Sequence, residues 1–533
     1  MNRFARLLDD LVLCPARGGK LRLLHDYLAS TPDPDRGWAL AALTGGLDFR
    51  HAKPAAIRAL VETRVDPVLF ALSYDYVGDL AETTALIWPA PVQAAPATLG
   101  LGEIVDTLAG ASRAAVPALL AGWLDRLDED GRWALLKLVT GGLRVGAAGR
   151  LAKTALARLG GVELDRIEEF WHAQRAPYRE LFAWLTAGAP PPSLDGRAAF
   201  RPLMLAHPLE PIDRVAQDSG RFAAEWKWDG IRVQLVGTGD GSLRLFSRTG
   251  DDIGAAFPEF AGAAGFAAVL DGELLAGTPD RVAGFADLQQ RLNRKSPGRA
   301  QIERHPAFLR LYDILFDGDD DLRTLDFVHR RRRLETWHRD HVAGQARARW
   351  LDLSPLLPAA ADWDELERLR DQAEARGAEG LMLKRLDAPY VAGRIKGLWF
   401  KWKREPRRVD AVLMYAQRGH GRRSSFYSDF TFGCWRADGE LVPVGKAYFG
   451  FTDDDLARLD KWVRAHSIGR FGPVREVEKA LVCELAFDAV QRSTRHKSGV
   501  ALRFPRIGRI RWDKPAAEAD RLETLERMID VAE

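Results

Sequence analysis

Apolar positions recur at helical spacing through roughly the first 185 residues. In WALLKLVTGGLRVGAAGRLAKTALARLGG (133–161), Leu151, Ala155 and Leu159 stand at i, i+4 and i+8, one face of a helix, and Gly141-Gly142 marks a turn before it. The pattern changes after TAGAPPPSLDG (186–196), where the proline run at 190–192 predicts a semi-rigid linker. From Phe200 onward, short alternating segments separated by turn residues mix with helical stretches such as DWDELERLRDQAEARG (362–377), which predicts an α+β domain. A second boundary is expected at Glu405-Pro406. The strand-like pieces beyond it (VDAVLMYAQRG, DFTFGCWRA, GELVPVGKAYFG) suit a small β-barrel. The expected domains are therefore 1–195, 196–405 and 406–533.

Length and composition narrow the classes. At 533 residues the chain is too long for one core, and 28% charged with 47% hydrophobic residues describes a soluble globular protein. A formal charge of +3 permits a polyanionic partner without requiring one. Cys14, Cys434 and Cys483 are too few and too scattered for a four-thiolate zinc site or a disulfide framework, which suits a reducing cytoplasm. The N-terminus carries acidic residues within its apolar run, so no signal peptide is read, and no uncharged stretch approaches bilayer-spanning length.

The charged residues within the strands carry the candidate chemistry. In AEWKWDG, period-two geometry puts Glu225, Lys227 and Asp229 on one face and Trp226 and Trp228 on the other. Lys227 is thus either a solvated strand residue or an amine nucleophile, and the latter requires its neutral form to be favoured. SRTGDD (247–252) places Arg248 in a turn suited to a phosphate or ribose, and VLDGELLAG (269–277) puts Asp271 and Glu273 on one face. LYDILFDG (311–318) sets Tyr312 and Asp313 in an apolar run. Alternation in EGLMLK (379–384) puts Glu379 on the face of Leu381 and Leu383, while WFKWK (399–403) puts Lys401 and Lys403 together. The arginines at 330–333 read as a solvated or ion-paired helix face. GHGRRSS (419–425) is a candidate loop for backbone phosphate.

The order EWKWDGIR, SRTG, LDGEL, LYDIL, EGLMLK, WFKWK and LRFPRIGRIRWDK (502–514) resembles the motif series of the covalent nucleotidyltransferases, and within them the ATP-dependent DNA ligases of the bacterial three-domain type. TGGLRVG (140–146) in the helical region is similar to the DNA-binding domain of the larger ligases. The resemblance implies a multidomain fold: an all-α N-terminal DNA-binding domain, an α+β nucleotidyltransferase (ATP-grasp-like) domain and a β-barrel OB-fold C-terminal domain. It implies Lys227 as the nucleophile on ATP, with Asp229 near the later nick chemistry and Lys401 and Lys403 on the α-phosphate. Glu225 would read adenine, Tyr312 would stack on it, and Arg232, Arg248 and Glu273 would handle ribose and phosphates. Arg394 is the nearest match to the arginine upstream of WFKWK, with Lys396 as its substitute. Glu273 and Glu379 would hold Mg²⁺, with Mn²⁺ as an alternative ion. Arg509, Arg511 and Lys514 would close over the pyrophosphate as a lid hinged near 403–408.

The activity implied is sealing of nicks in duplex DNA through lysyl-AMP and an adenylylated 5′-phosphate. The protein would be a cytoplasmic, nucleoid-associated monomer without membrane contact, and other repair proteins are further candidate partners. An RNA ligase or capping-type enzyme would share the lysine chemistry, but the long helical region before Glu225 favours duplex DNA. A catalytically dead scaffold would have no need to keep Lys227, Glu273, Glu379, Lys401 and Lys403 together.

Overall fold

The computed structural model describes the chain except residues 90–98, 148, 195–197, 293, 295, 419–425, 473, 495 and 531–533. The expected boundary at 195/196 and the basic loop 419–425 therefore lie outside the described residues. The chain separates into two compact units, Met1–Lys403 and Arg404–Glu533.

The first unit begins with a helical region running from Asn2–Leu13 to Arg179–Ala187. The first helix follows the apolar spacing: its Phe4, Leu7, Leu8 and Leu11 are buried at i, i+3, i+4 and i+7. The turn expected at Gly141-Gly142 is present, with Gly141 in the left-handed conformation ending the helix Glu129–Thr140. Leu151 and Ala155 of the following helix are buried, and Leu159 packs against the same core.

Two sheets follow. The strands, in chain order, are β1 (His207–Pro208), β2 (Phe222–Trp228), β3 (Ile231–Thr238), β4 (Leu243–Ser247), β5 (Ala267–Thr278), β6 (Arg281–Val282), β7 (Ala307–Asp317), β8 (Asp320–Asp321), β9 (Leu351–Leu353), β10 (Ala378–Arg385) and β11 (Trp399–Lys403). One sheet has the order β1-β11-β10-β2; the other runs β4-β3-β5-β7-β8, with β6 on β5 and β9 on β7. Trp226, Trp228, Leu381, Leu383, Phe400 and Trp402 of the first sheet pack on Leu275 and Phe308 of the second. The two tryptophans of EWKW are thus core residues, each burying on the order of 150–250 Å², and they fix the strand that carries Lys227. The helix Phe327–His341 packs Leu334 and Trp337 onto the second sheet.

Arg330, Arg331 and Arg333 of that helix are ion-paired, Arg332 is exposed, and Arg330 is not solvated at all. Arg330 is fully buried and grips Asp313 at 2.9 and 3.0 Å. Arg331 donates to Glu335 at 2.7 Å, and Arg333 to Asp317 and Asp320.

The second unit contains β12 (Arg407–Arg418), β13 (Tyr427–Trp435), β14 (Leu441–Ala447), β15 (Ser467–Phe471), β16 (Val474–Val477), β17 (Val482–Phe487), β18 (Ala489–Arg492), β19 (Val500–Arg503) and β20 (Arg506–Arg511). The long β12 pairs with β13 along one edge and with β16 and then β17 along the other, and β20 continues from β17. Among the described residues these pairings form a branched sheet and do not close into a barrel. The helix Asp453–Ala465, opened by a Thr452/Asp455 capping box, packs on this sheet through Leu456, Leu459 and Val463.

Candidate active site

The site is built on the β2–β10–β11 face. Lys227 lies opposite Gly380, which lies opposite Lys403; one step along, Glu225 faces Met382, which faces Lys401. Residues directly opposite one another, and those two positions further along, project to one side, so Lys227, Lys401 and Lys403 share a face, as alternation predicts. The turn after β2 is tight because β5 runs beneath it: a Cβ on Gly230 would stand 2.3 Å from the Leu274 carbonyl oxygen.

Glu379 corrects the expectation from alternation. The β2–β10 register shifts between Ala378 and Gly380, so Glu379 is an inserted residue without a cross-strand partner. It is thereby turned away from Leu381 and Leu383 and onto the lysine face. There Lys227 Nζ donates to Glu379 Oε2 at 2.5 Å, and Lys403 Nζ lies 3.1 Å from the same oxygen. The bulge depends on Gly380, at φ +153°, where a Cβ would stand 2.1 Å from the Trp402 carbonyl oxygen. Burial works to raise the Glu379 carboxyl, but the two lysines and a hydrogen bond with Asp229 outweigh it and hold it at about 2.

The second sheet supplies the opposing groups. Glu273 on β5 is register-paired with Arg232 on β3. Burial pushes the Glu273 carboxyl up to about 7; Lys227 and Arg232 oppose the rise, and Glu379 and Asp229 add to it. Arg232 points inward, donating to Asp271 at 2.7 Å, to the Met204 carbonyl at 2.6 Å and to the Tyr390 hydroxyl at 3.2 Å. Tyr312 occupies a register shift of β7 against β5, and its buried phenol is pushed well up by desolvation. The Arg232 guanidinium lies 5.8 Å from its ring centre.

A cationic group surrounds Lys401, whose amine is lowered by burial and then by the charges of Arg394, Lys227, Lys403 and Arg248. Arg394 and Arg248 are both exposed. Lys396 is engaged elsewhere, 3.3 Å from Asp213, which leaves Arg394 as the arginine beside Lys401. Arg509, Arg511 and Lys514 belong to the second unit. Arg509 is exposed, whereas Arg511 and Lys514 both reach Asp410, at 3.2 and 2.7 Å.

Three residues near the site went unread in the sequence. Lys384, 1% exposed, donates to Glu225 Oε1 and to the Tyr312 carbonyl, both at 3.1 Å, and its amine lies 4.4 Å from the Tyr312 ring centre. Burial raises the Glu225 carboxyl and lowers the Lys384 amine, and their ion pair opposes both shifts. Alternation from Lys227 through Met382 could have placed Lys384 on this face. Tyr390 donates to Asp271 at 2.6 Å from a loop 119 residues away, which no local pattern signals. His172, from the helical region, packs edge-on against Phe200 with ring centres 4.7 Å apart, and burial lowers its imidazole to about 4.

Among the described residues no cluster of three or more His, Cys, Asp or Glu side chains could cage a metal ion. The pair Glu273 and Glu379 nonetheless fits Mg²⁺, which binds through one or two carboxylates and completes its shell with phosphate oxygens and water. Burial raises the Glu273 carboxyl and the nearby Glu379 and Asp229 add to the rise, a cost of charge that a divalent cation would offset.

Residues 203–403 match the model of the ATP dependent DNA ligase domain, and residues 423–514 match the ATP dependent DNA ligase C terminal region. A probable DNA ligase of Koribacter versatilis is 32% identical over 99% of this chain and 96% of its own length. A DNA ligase of Korarchaeum cryptofilum is 33% identical over 78% of this chain and 74% of its own. The solved structure titled Pmar-Lig_Pre shares the fold, with a TM-score of 0.60 at 17% identity over 96% of this chain and 99% of that one. Over nearly its whole length, then, the chain belongs to the ATP-dependent DNA ligase family.

Proposed function

We propose that the protein seals nicks in duplex DNA with ATP, by way of an enzyme-bound lysyl-AMP and an adenylylated 5′-phosphate. The observation that carries this is the row Lys227–Gly380–Lys403 with Glu379 lifted between the two amines. In the first step the Lys227 amine attacks the α-phosphorus of ATP, the Nζ–P bond forms and pyrophosphate leaves. Lys401 and Lys403, on the same face, offset the charge that develops on the α-phosphate. While Lys227 donates to Glu379 it is held as an ion pair, so attack needs that carboxylate to be otherwise satisfied. Glu273 and Glu379 would hold a divalent ion, which would supply charge neutralisation there. Glu225, fixed by Lys384, reads the adenine; Tyr312 stacks on it; and Arg248, Arg394 and Arg232 serve the ribose and phosphates.

The AMP then passes to the 5′-phosphate of a nick, and the adjacent 3′-hydroxyl displaces it, with Asp229 acting near that chemistry. In this reading residues 1–195 bind the duplex and 196–405 carry the chemistry. Residues 406–533 form the third, OB-type domain, here an open branched sheet among the described residues, whose Arg509, Arg511 and Lys514 steer the pyrophosphate. The enzyme works as a monomer in the cytoplasm, associated with the nucleoid; in the described residues no helix is long and apolar enough to cross a membrane.

The test is covalent labelling. The protein is incubated with Mg²⁺ and α-labelled ATP, GTP or NAD and resolved on a denaturing gel, and a nicked duplex is then supplied. Label from ATP alone, lost in Lys227→Ala and followed by sealing, is the expected result. Label that survives Lys227→Ala, or labelling without sealing, overturns the assignment.

A further inference from the structure

The helix Pro67–Val77 is apolar along most of its length, yet Phe70 is its one buried residue. Val68 is 66% exposed, Leu72 64% and Tyr76 93%, and Leu86 of the neighbouring helix Leu80–Ile87 is 55% exposed. Between the two helices runs a groove of about 340 Å³ lined by Leu72, Tyr76, Val77, Leu86 and Ile87, with the hydroxyl-bearing Ser73 and Thr83. That volume is at the small end of ligand pockets, about 300–1,000 Å³, and suits anchoring side chains better than a whole cofactor. Contiguous exposed apolar surface of this kind marks interaction sites.

Charge identifies the occupant. From Val65 to Trp88 the sequence holds Asp66, Asp75, Asp79 and Glu82 and no lysine or arginine, in a chain with 77 of them. Asp79 is neutralised by Lys137 at 2.6 Å, while Asp66, Asp75 and Glu82 stand exposed. The nearest cations from flanking segments are already engaged: Arg58 over the Tyr74 ring and Arg64 with Asp125. Nucleic-acid backbone needs lysine and arginine, and a carboxylate rim repels it. An apolar strip edged with carboxylates complements an amphipathic helix whose apolar anchors are flanked by basic residues.

We infer that the face formed by Pro67–Val77 and Leu80–Ile87 docks a basic amphipathic helix of a partner protein. The inference does not rest on the nick-sealing reading, and it leaves the DNA-engaging surfaces elsewhere on the chain.

The experiment is selection of displayed helical peptides on the full-length protein, followed by titration of synthesised winners against Leu72→Glu, Leu86→Glu and the milder Tyr76→Ala. Enriched peptides are expected to carry apolar residues three and four apart with flanking lysine or arginine. Their binding should fall at least tenfold in either glutamate variant and weaken with added salt, while transfer of label from α-labelled ATP to the enzyme stays unchanged. Failure to enrich any peptide, enrichment of acidic peptides, binding indifferent to all three variants, or displacement of the peptide by duplex DNA would each overturn the inference. So would a concentration-dependent dimer dissolved by Leu72→Glu, which would make a second copy the occupant.

Discussion

Replacing Gly380 with alanine should disable adenylylation without touching a charged group. The residue holds φ at +153°, a region that side-chain-bearing residues avoid at a cost of about 1–3 kcal/mol. A Cβ there would stand 2.1 Å from the Trp402 carbonyl oxygen and 2.8 Å from the Lys403 Cα. Close carbon–oxygen contacts settle at about 3.3–3.6 Å, so β10 and β11 would have to part by roughly 1 Å at this point. That displacement falls between Glu379 and Lys403, on the row that holds Lys227. Misplacement of about 1 Å at a reacting centre costs on the order of 10²-fold in rate. Single-turnover transfer of label from α-labelled ATP, with melting temperature measured in parallel, reads both effects. The expected outcome is a rate about a hundredfold lower with a modest loss of stability. Gly284→Ala is the control, since a Cβ there meets nothing within 4 Å and its φ is −66°. Transfer by Gly380→Ala within threefold of the native rate would refute the argument that the bulge positions the lysine row.

Other consequences are testable in the same preparations. Lys384→Met leaves the buried Glu225 without its 3.1 Å partner, with Arg331 3.9 Å away. It should raise the KM for ATP and erode the preference for ATP over GTP in the labelling assay, alongside a lower melting temperature. Arg330→Met strands Asp313 in the core and should cost about 3–5 kcal/mol of stability, read as a drop in melting temperature that is larger than for Arg333→Met on the same helix. The Glu273 carboxyl, raised to about 7, holds a proton that a divalent cation must displace. The Mg²⁺ concentration giving half-maximal labelling should therefore fall as pH rises toward about 7 and level off above it, and Glu273→Gln should flatten that dependence. His172 is lowered from 6.5 to about 4, so the unfolded chain takes up its proton first as pH falls. Its contribution to stability is complete above pH 6.5 and declines as pH falls toward 4, and melting of His172→Gln across that window should lose this slope.

Strand parity carried the sequence reading a long way and failed at one residue for a definite reason. It placed Lys227, Lys401 and Lys403 on a common face and Trp226, Trp228, Phe400 and Trp402 behind them, because those strands run without interruption and one face is wholly buried. It misplaced Glu379 because a bulge adds a residue and reverses parity beyond it. The isolated glycine that follows was the available signal, since glycine within a strand marks bulges and close backbone approach. The Arg232–Asp271–Tyr390 and Lys384–Glu225 links are another matter: they join residues 39 to 159 positions apart, and burial of both partners is decided only when the two sheets close on each other. The same closure explains why Lys384, a residue type seldom buried, is fully enclosed. Its charge sits against Glu225 and the Tyr312 ring, the two groups proposed here to meet adenine, so that end of the site is assembled by tertiary packing while the lysine row follows from strand alternation in β2 and β11.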